Sequence, residues 1–388
     1  MRSVNMDVYA GTPVHEKVLE AMLPFFRERF GNPSSIHHLG EEPLKAITEA
    51  RAKVARLLGA RNPEEVYFTS CGTEANNWAI KGTVWKNREK GQHVVISSVE
   101  HFSVLYVANT LERWGFQVTR VPVDRYGQVD PEDVRKAIRK DTVLVSIMHS
   151  TPEVGTLQPI EEIAKVVKEA GVVFHTDAVG SVGRVPVNVE ELGVDLLSCS
   201  ADQFRGPKGV GALYMRRGTP TQRLLDGGAQ EDGRRGGTEN VPAIVGLGVA
   251  AELALTEMDA RMAHAREMGQ RLRQGLSERV DHLHWNGHPT RRLPGFESVS
   301  VEFVEGEAML LFMDSVGIAV ASGSACTSVS LKASHVLTAM GVPPDLAQGS
   351  LLFSMGEDTT EEDVDYVLEQ FPPIVERLRK MSPLYHRR

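Results

Sequence analysis

Short apolar runs alternate with stretches of helical periodicity along residues 16–255. The runs have the length and the β-branched content of buried strands: VYFTS, HVVISS, QVTRVPV, TVLVSIMHS, VVFHTDA, DLLSCS and VGALYMR. Segments with apolar residues at helical spacing separate several of them, including TEANNWAIKGTVWKNRE and IEEIAKVVKEAG. This alternation predicts an α/β domain in which helices cover both faces of a mostly parallel sheet.

The rest of the chain has a different pattern. A helical stretch runs from Asn240 to about Leu276, and the turn-rich segment NGHPTRRLPGFES follows it. Strands such as SVSVEF then mix with helices such as EEDVDYVLEQF. We therefore expect a large domain at residues 16–255 and a smaller α+β domain at residues 256–388, which carries the Cys326 loop. An N-terminal arm at residues 1–15 is expected to belong with the smaller domain.

Composition and charge exclude several classes of function. A chain of 388 residues with 41% hydrophobic and 24% charged residues is typical of a soluble globular protein. The net charge of −8 argues against a surface for nucleic acid. No apolar stretch approaches the roughly 20 residues of a membrane span, and the N-terminus lacks the apolar core of a signal peptide. The three cysteines are far apart and form no metal-ligand motif. We expect a cytoplasmic protein with no direct contact to nucleic acid or membrane.

Polar segments follow several predicted strands, and we expect them to converge on one crevice at the carboxyl edge of the sheet. The turn before Thr73 opens a helix whose backbone N–H groups suit a phosphate or form an ordinary N-cap. Asp177 could pair with a cationic ligand atom or satisfy its own turn. His101 could stack on a flat ligand or bond its neighbours. Spacing alone leaves these alternatives open.

The cysteines differ in their surroundings. Cys326 lies in ASGSACTSVS, a run of small and hydroxyl residues that cannot bury much surface. We expect that run to be a mobile, exposed loop in which a thiol can react. Cys199 lies in an apolar strand and is expected in the core. Cys71 could have a lowered pKa beside a helix N-terminus or have no functional role.

Together these segments resemble the cysteine desulfurases of the NifS/IscS type, which are fold-type I pyridoxal phosphate (PLP) enzymes of the class V aminotransferase superfamily. The motifs follow the family's order over nearly the whole chain: FGNPSSIHHLG, TSCGTEANN, EHFSV, HTDAVGSVG, GPKGVGALYMRRG, GGTENV, ASGSACTS and SHVLTAMG. The resemblance implies a fold-type I PLP-transferase fold and a homodimer. It also implies an enzyme that takes sulfur from cysteine as a persulfide and passes it to an iron–sulfur scaffold protein or another sulfur acceptor.

The resemblance assigns roles to individual residues. Thr73 and Ser200 match phosphate-binding hydroxyls, Thr238 matches the hydroxyl that reaches in from the other subunit, His101 the ring stacked on the pyridine, Asp177 the partner of the pyridine nitrogen, and Cys326 the persulfide-forming nucleophile.

The chain departs from the family at the residue that holds the cofactor. Asp202 and Gln203 stand where the family has His-Lys, so the lysine that forms the internal aldimine is absent. A carboxamide at this cofactor-binding position cannot make the imine or move the Cα proton as an amine does. Lys208 is no substitute, because the family has its own lysine in the same GPKG turn.

Further departures affect other steps. Pro152 replaces the asparagine of HxNNEIG and Gly180 replaces the glutamine of DATQS, which removes side-chain donors to the cofactor's phenolic oxygen. Leu352 replaces the arginine that clamps the substrate carboxylate, and Glu357 replaces a second arginine. Losing a guanidinium from such a site typically costs several kcal/mol of binding, so free cysteine should bind poorly.

Three hypotheses follow. The first is a desulfurase-like protein of sulfur transfer and iron–sulfur cluster assembly with impaired PLP-dependent desulfuration, in which Cys326 is a persulfide carrier or a ligand of a shared iron–sulfur cluster. The second is an enzyme that uses PLP or pyridoxamine phosphate held without a covalent bond. The third is a non-catalytic structural partner of an active desulfurase. The lysine-lacking pattern resembles archaeal-type members of the family.

Overall fold

A computed structural model describes residues 2–322, 333–383 and 385. Its strands, in chain order, are β1 (Val4–Asn5), β2 (Val66–Thr69), β3 (His93–Ser97), β4 (Gln117–Val121), β5 (Thr142–Ser146), β6 (Val173–Asp177), β7 (Leu196–Ser200), β8 (Gly211–Met215), β9 (Leu283–Trp285), β10 (Phe296–Val301), β11 (Ile318–Ala319) and β12 (Ser350–Ser354).

The main sheet has seven strands in the order β2-β8-β7-β6-β5-β3-β4. Neighbours from β4 to β7 run parallel, whereas β8 is antiparallel to both β2 and β7. Every residue of β3, β5 and β7 is buried, as expected of parallel strands between two layers of helices. The predicted α/β class with a mostly parallel sheet is confirmed.

Helices surround this sheet and continue to the C-terminus. They are α1 (Glu16–Met22), α2 (Pro24–Arg27), α3 (His38–Leu58), α4 (Gly72–Asn77), α5 (Thr83–Asn87), α6 (Phe102–Arg113), α7 (Pro131–Ala137), α8 (Ile160–Glu169), α9 (Val189–Leu192), α10 (Gln230–Gly233), α11 (Val241–Thr256), α12 (Met258–Arg279), α13 (Gly306–Ser315), α14 (His335–Ala339), α15 (Pro344–Gln348) and α16 (Glu361–Met381).

Neighbouring residues of one strand belong to different hydrophobic cores. Val95 of β3 packs in the core that includes Ile163 of α8 and Leu247 of α11. Val94 of the same strand packs in a second core with Leu111 of α6. Successive side chains of a strand point to opposite faces of the sheet, so both faces are covered.

A third core joins the two ends of the chain. The antiparallel sheet β12-β10-β9 and the parallel pair β1-β11 contribute to it. Val4 and Met6 of the N-terminal segment pack there with Phe353 of β12 and Phe371 of α16. The N-terminal arm is therefore part of the C-terminal core, whereas the proposed domain boundaries stay a prediction.

The long helix expected from Asn240 to about Leu276 is two helices. The axes of α11 and α12 differ by 73° at a break near Glu257. α11 packs on α3, whereas α12 packs on α16, so the chain turns where its packing partner changes. In the described part of the chain no single helix is long and apolar enough to cross a membrane, although this bent pair passes the same test by length and composition.

Candidate functional site

A cavity of about 270 Å³ lies at the carboxyl edge of the main sheet. Thr73, His101, Asp177 and Ser200 all line it, and we call it the central cavity. Because β3, β6 and β7 are parallel, the segments that follow them leave the sheet at the same edge. The structure thus brings together four of the residues that the sequence singles out, and their roles remain a prediction.

Asp177, at the end of β6, is held from two sides. Its Oδ2 accepts a hydrogen bond from Asn76 Nδ2 at 2.6 Å, and its Oδ1 accepts one from the backbone N–H of Val179 at 3.0 Å. Burial raises the pKa of Asp177, and the nearby His101 opposes that rise. Asn76 lies within the TSCGTEANN motif, but the sequence pattern alone does not single it out. The pair presents a fixed carboxylate to a cationic ligand atom.

His101 caps helix α6. Its Nδ1 accepts the backbone N–H of Ser103 at 3.1 Å and lies 2.8 Å from Ser103 Oγ. Ser103 Oγ also accepts from Asn76 Nδ2 at 2.8 Å, so the histidine and Asp177 share one hydrogen-bonded network. The His101 side chain is exposed and lines the central cavity. Local capping fixes the ring without removing it from the cavity, so the two alternatives considered for His101 are compatible.

The expected phosphate end of the cavity carries a carboxylate. Ser200, at the end of β7, donates its hydroxyl to Asp202, and Asp202 itself lines the central cavity. Thr73 lies in the first turn of α4 and lines the same cavity. Lys208 is exposed and also lines it. A carboxylate that occupies the serine hydroxyl disfavours a phosphate at this position, because both groups are anionic.

Gln203 does not line the central cavity. Its Nε2 donates to the carbonyl of Tyr9 and to Asp202 Oδ2, each at 3.3 Å. The side chain lines a second cavity of about 310 Å³, together with Arg184, Arg205 and other residues, which we call the arginine cavity. The structure therefore does not bring Gln203 together with the other predicted cofactor residues.

The other predicted residues lie apart. Thr238 is exposed before α11 and does not line the central cavity. Cys326 lies outside the described residues. Cys71 is partly buried at the N-cap of α4 and lines the central cavity. Cys199 is fully buried in β7, and burial raises its pKa to about 12, so this thiol is a core residue as expected.

Tyr9 takes up space beside Gly180. A Cβ built on Gly180 would lie 3.7 Å from both Cε2 and Oη of Tyr9 and 3.0 Å from Ser150 Oγ. Tyr9 and Pro152 also line the central cavity. The space next to the glycine is therefore occupied by an aromatic ring from the N-terminal arm, which the sequence pattern did not indicate.

We expect Gly180→Gln to lower the free energy of unfolding by about 1–3 kcal/mol, because a longer side chain must displace Tyr9. Urea unfolding of the wild type, Gly180→Gln, Tyr9→Ala and the double variant measures the coupling free energy between the two positions. The cost should be smaller in the Tyr9→Ala background. Gly11→Gln is the matched control, because a Cβ at Gly11 has nothing within 4 Å. An equal cost of Gly180→Gln in both backgrounds would contradict the explanation.

Leu352 and Glu357 stand where the family resemblance places substrate-binding arginines, and neither side chain carries a guanidinium. Leu352 of β12 is 6% exposed and belongs to the core that contains Phe296. Glu357 is held by Arg205 and, through Oε2 at 2.7 Å, by Arg261. An apolar side chain and a neutralised carboxylate cannot clamp a substrate carboxylate.

The family assignment comes from comparison with known proteins. The model of the class V aminotransferase family matches residues 4–367. The chain belongs to this family. The cysteine desulfurase IscS of Methanosarcina thermophila is 52% identical over 383 residues, which cover 99% of this chain and 94% of that protein. The IscS of Dictyoglomus turgidum is 51% identical over 382 residues, with 98% and 97% covered. These relatives place the chain in the NifS/IscS branch of the class V aminotransferases.

Solved structures agree with this assignment. A NifS-like protein superposes with a TM-score of 0.91 at 38% identity, covering 97% of this chain and 100% of the other. SspA in complex with cysteine superposes with a TM-score of 0.81 at 36% identity, covering 91% and 99%. The expected fold-type I PLP-transferase fold is confirmed.

PLP is the cofactor expected of the class V aminotransferase family, and the described residues fit it only in part. Asp177 with its Asn76 partner and the His101 ring suit a pyridine ring. At the other end, Ser200 is bonded to a carboxylate, and Gln203 lines a different cavity. The carboxamide of Gln203 therefore does not fit PLP as a cofactor bound covalently at that position.

The residue before His101 in the chain, Glu100, is a buried acid. Glu100 is fully buried; its Oε1 accepts from Ser97 Oγ at 2.6 Å and from the backbone N–H of Met148 at 2.9 Å. Its Oε2 has no partner among the described residues. Burial raises the pKa of Glu100 from its ordinary value of 4.5 to about 8, against the opposing effect of the hydrogen bonds from Ser97 and Met148.

This shift predicts a pH-dependent stability. Between the ordinary pKa of 4.5 and the folded pKa of about 8, the native state holds a proton that the unfolded chain has lost. The contribution of Glu100 to the free energy of unfolding is therefore largest below this window. It falls as pH rises through the window, by up to about 1.4 kcal/mol per pH unit. Glu100→Gln should remove this slope in urea unfolding across the window, whereas Glu41→Gln, at an exposed position, should keep it. Parallel pH profiles of wild type and Glu100→Gln would contradict the prediction.

Proposed function

We propose that this protein transfers sulfur for iron–sulfur cluster assembly and does not itself release sulfur from free cysteine by PLP chemistry. The observation that carries the proposal is the position of Gln203, whose amide donates to Tyr9 and Asp202 and lines the arginine cavity. An imine with the cofactor aldehyde requires an amine, which a carboxamide cannot supply. Sulfur must then reach the protein from a donor that already carries it.

The relatives support the general assignment. The proteins of Methanosarcina thermophila and Dictyoglomus turgidum are named cysteine desulfurase IscS, and this chain matches them over nearly their whole length. The apolar position of Leu352 and the paired state of Glu357 support the loss of free-cysteine desulfuration, because neither offers a guanidinium to a carboxylate.

Cys326 is the proposed sulfur carrier, on the strength of its ASGSACTS motif. Its thiolate would attack the terminal sulfur of a donor persulfide, so that a new S–S bond forms on Cys326 while the donor leaves as a thiolate. No external oxidant or reductant is needed, because the sulfur keeps its oxidation state through the exchange. Alternatively, the Cys326 thiolate ligates a cluster shared with a scaffold protein.

We also propose a homodimer that hands sulfur to a scaffold protein or another acceptor. The segment from α1 to the start of α3 exposes large apolar side chains, an arrangement typical of a surface covered by another chain. These side chains are Leu19 (49% exposed), Leu23 (55%), Phe26 (60%), Phe30 (65%), Ile36 (102%), Leu39 (42%) and Leu44 (53%). The exposed Thr238 is compatible with a role toward a second subunit.

A second candidate function is an enzyme that holds PLP or pyridoxamine phosphate without a covalent bond. The intact network of His101, Asn76 and Asp177 favours it, because these groups suit a pyridinium ring. Asp202 at the phosphate end disfavours it. Equilibrium dialysis with pyridoxamine phosphate tests it directly, and retention that is lost in Asp177→Asn would support this candidate.

The proposed sulfur transfer is tested by loading the purified protein with sulfur. The anaerobic protein is mixed with L-cysteine and a catalytic amount of an active desulfurase, and mass spectrometry locates the added sulfur atom. We expect it on Cys326 only when the desulfurase is present, with Cys71→Ser loaded like wild type and Cys326→Ser unloaded. Sulfide release from L-cysteine by the protein alone, at a rate similar to that of its relatives, would refute the proposal. If iron–sulfur cluster assembly on a scaffold protein proceeds equally well with Cys326→Ser and with the wild type, the result would favour the hypothesis of a non-catalytic structural partner.

A further inference from the structure

The arginine cavity is a second candidate binding site. Its volume of about 310 Å³ lies at the small end of the range for ligand pockets. Thr12 of the N-terminal arm, Arg184, Gln203, Arg205 and Arg261 of α12 line it. The exposed Pro13 and Asp358 are also part of its lining, so the cavity reaches the surface.

Arg184 is the unpaired charge in this cavity. Its guanidinium makes no hydrogen bond or ion pair with the described residues, and its Nε is buried. The carbon of the guanidinium lies 5.8 Å from the ring centre of Tyr9 and 5.3 Å from that of Phe296. Burial lowers the pKa of Arg184 to about 10, so the group stays charged at neutral pH. Aromatic contacts hold the guanidinium in place without using its N–H donors.

The other charged groups of the cavity have partners. Arg205 pairs with Glu357 and, at 3.1 Å, with Asp358. Arg261 contacts the other oxygen of Glu357 at 2.7 Å. Asp363 pairs with Arg2 at 3.3 Å. Arg184 is therefore the one arginine lining the cavity that makes no ion pair with the described residues, although Asp202 and Glu357 lie near enough to oppose the lowering of its pKa.

Several buried polar atoms around this cavity also lack partners. They are Thr12 Oγ1, Arg184 Nε, Gln203 Oε1 and Arg205 Nε. Buried polar groups in native proteins are almost always hydrogen-bonded, so unpartnered atoms on several residues that line one cavity indicate that something else completes them. Gln203 Oε1 and the Thr12 hydroxyl can accept a hydrogen bond, and the guanidinium can donate two parallel ones to a carboxylate.

We propose that the arginine cavity binds a small carboxylate that carries an adjacent hydrogen-bond donor, as in an α-hydroxy or α-amino acid. The carboxylate pairs with Arg184, and the donor group bonds to Gln203 Oε1 and Thr12 Oγ1. The inference goes beyond the proposed sulfur transfer and does not depend on it, because it involves neither PLP nor Cys326.

Isothermal titration of the purified full-length protein with L-lactate, L-alanine, propionate and sulfate tests the proposal. We expect lactate or alanine to bind more tightly than propionate. Arg184→Gln should weaken that binding at least about tenfold, since a charge-assisted pair is lost. Arg184→Lys keeps the charge without the two parallel donors and should give an intermediate loss, and Thr12→Val should weaken lactate and alanine more than propionate.

A control variant locates the site. Arg266→Gln removes an exposed charge further along α12 and should bind the acids like wild type. Binding that is unchanged in Arg184→Gln, or no binding of any carboxylate to the wild type, would overturn the proposal. If sulfate binds as tightly as lactate and alanine, the cavity is not selective for carboxylates and the proposed class of ligand is wrong. If Arg184→Gln does not fold, Arg184→Lys and Thr12→Val decide the outcome.

Discussion

Replacing Gln203 by lysine together with Asp202 by histidine is expected to give a protein that binds PLP covalently, whereas we expect no covalent binding by the wild-type protein. The lysine supplies the amine for the imine. Removing Asp202 frees the Ser200 hydroxyl, which donates a hydrogen bond to the Asp202 carboxylate in the wild-type protein. After addition of PLP and borohydride, mass spectrometry should find the pyridoxyl group on residue 203 of the double variant and on no residue of the wild type.

The single variants separate the two effects. Gln203→Lys alone should label less than the double variant, because the side chain at this position lies beside Asp202 and lines the arginine cavity. Gln203→Met, of similar length and without an amine, is the matched control and should not label. A label on Lys208 of the wild type, or none on the double variant, would show that our interpretation of the site is wrong.

Restoring the clamp arginine is expected to destabilise the protein strongly. Leu352 is 6% exposed in the main hydrophobic core, and its backbone N–H donates to the Ala321 carbonyl at 2.8 Å. Leu352→Arg would bury a guanidinium where Glu357 is already paired with Arg205 and Arg261. An uncompensated buried charge costs about 3–5 kcal/mol, which urea unfolding measures.

Leu352→Met is the control for this change, since a swap of similar volume costs less than about 1.5 kcal/mol. A loss below about 1 kcal/mol for Leu352→Arg, accompanied by tighter binding of cysteine, would mean that the position still opens toward a substrate site. The expected loss of stability implies instead that an arginine at position 352 is accommodated only with further changes in the core around it.

The sequence alone determined the class of fold and the edge of the sheet where the site lies. Alternation of apolar runs and helical stretches specifies a parallel sheet, and parallel strands necessarily end at one edge. This local pattern predicted that Thr73, His101 and Asp177 would lie at one edge, and all three line the central cavity. The resemblance to the desulfurase family added Ser200, which lines the same cavity. The resemblance to the desulfurase family, and not the periodicity, located the substitutions at Gln203 and Leu352, because each falls inside one of the family's motifs.

Only the tertiary structure decided which way the altered side chains turn. Gln203 donates to the carbonyl of Tyr9, 194 residues away, and Asn76 supports Asp177 from 101 residues away. The ring of Tyr9 beside Gly180 and the unpaired guanidinium of Arg184 likewise depend on contacts between distant segments. Sequence periodicity reports which face of an element is buried, whereas the partner of each polar atom is set by whichever distant residue packs against it.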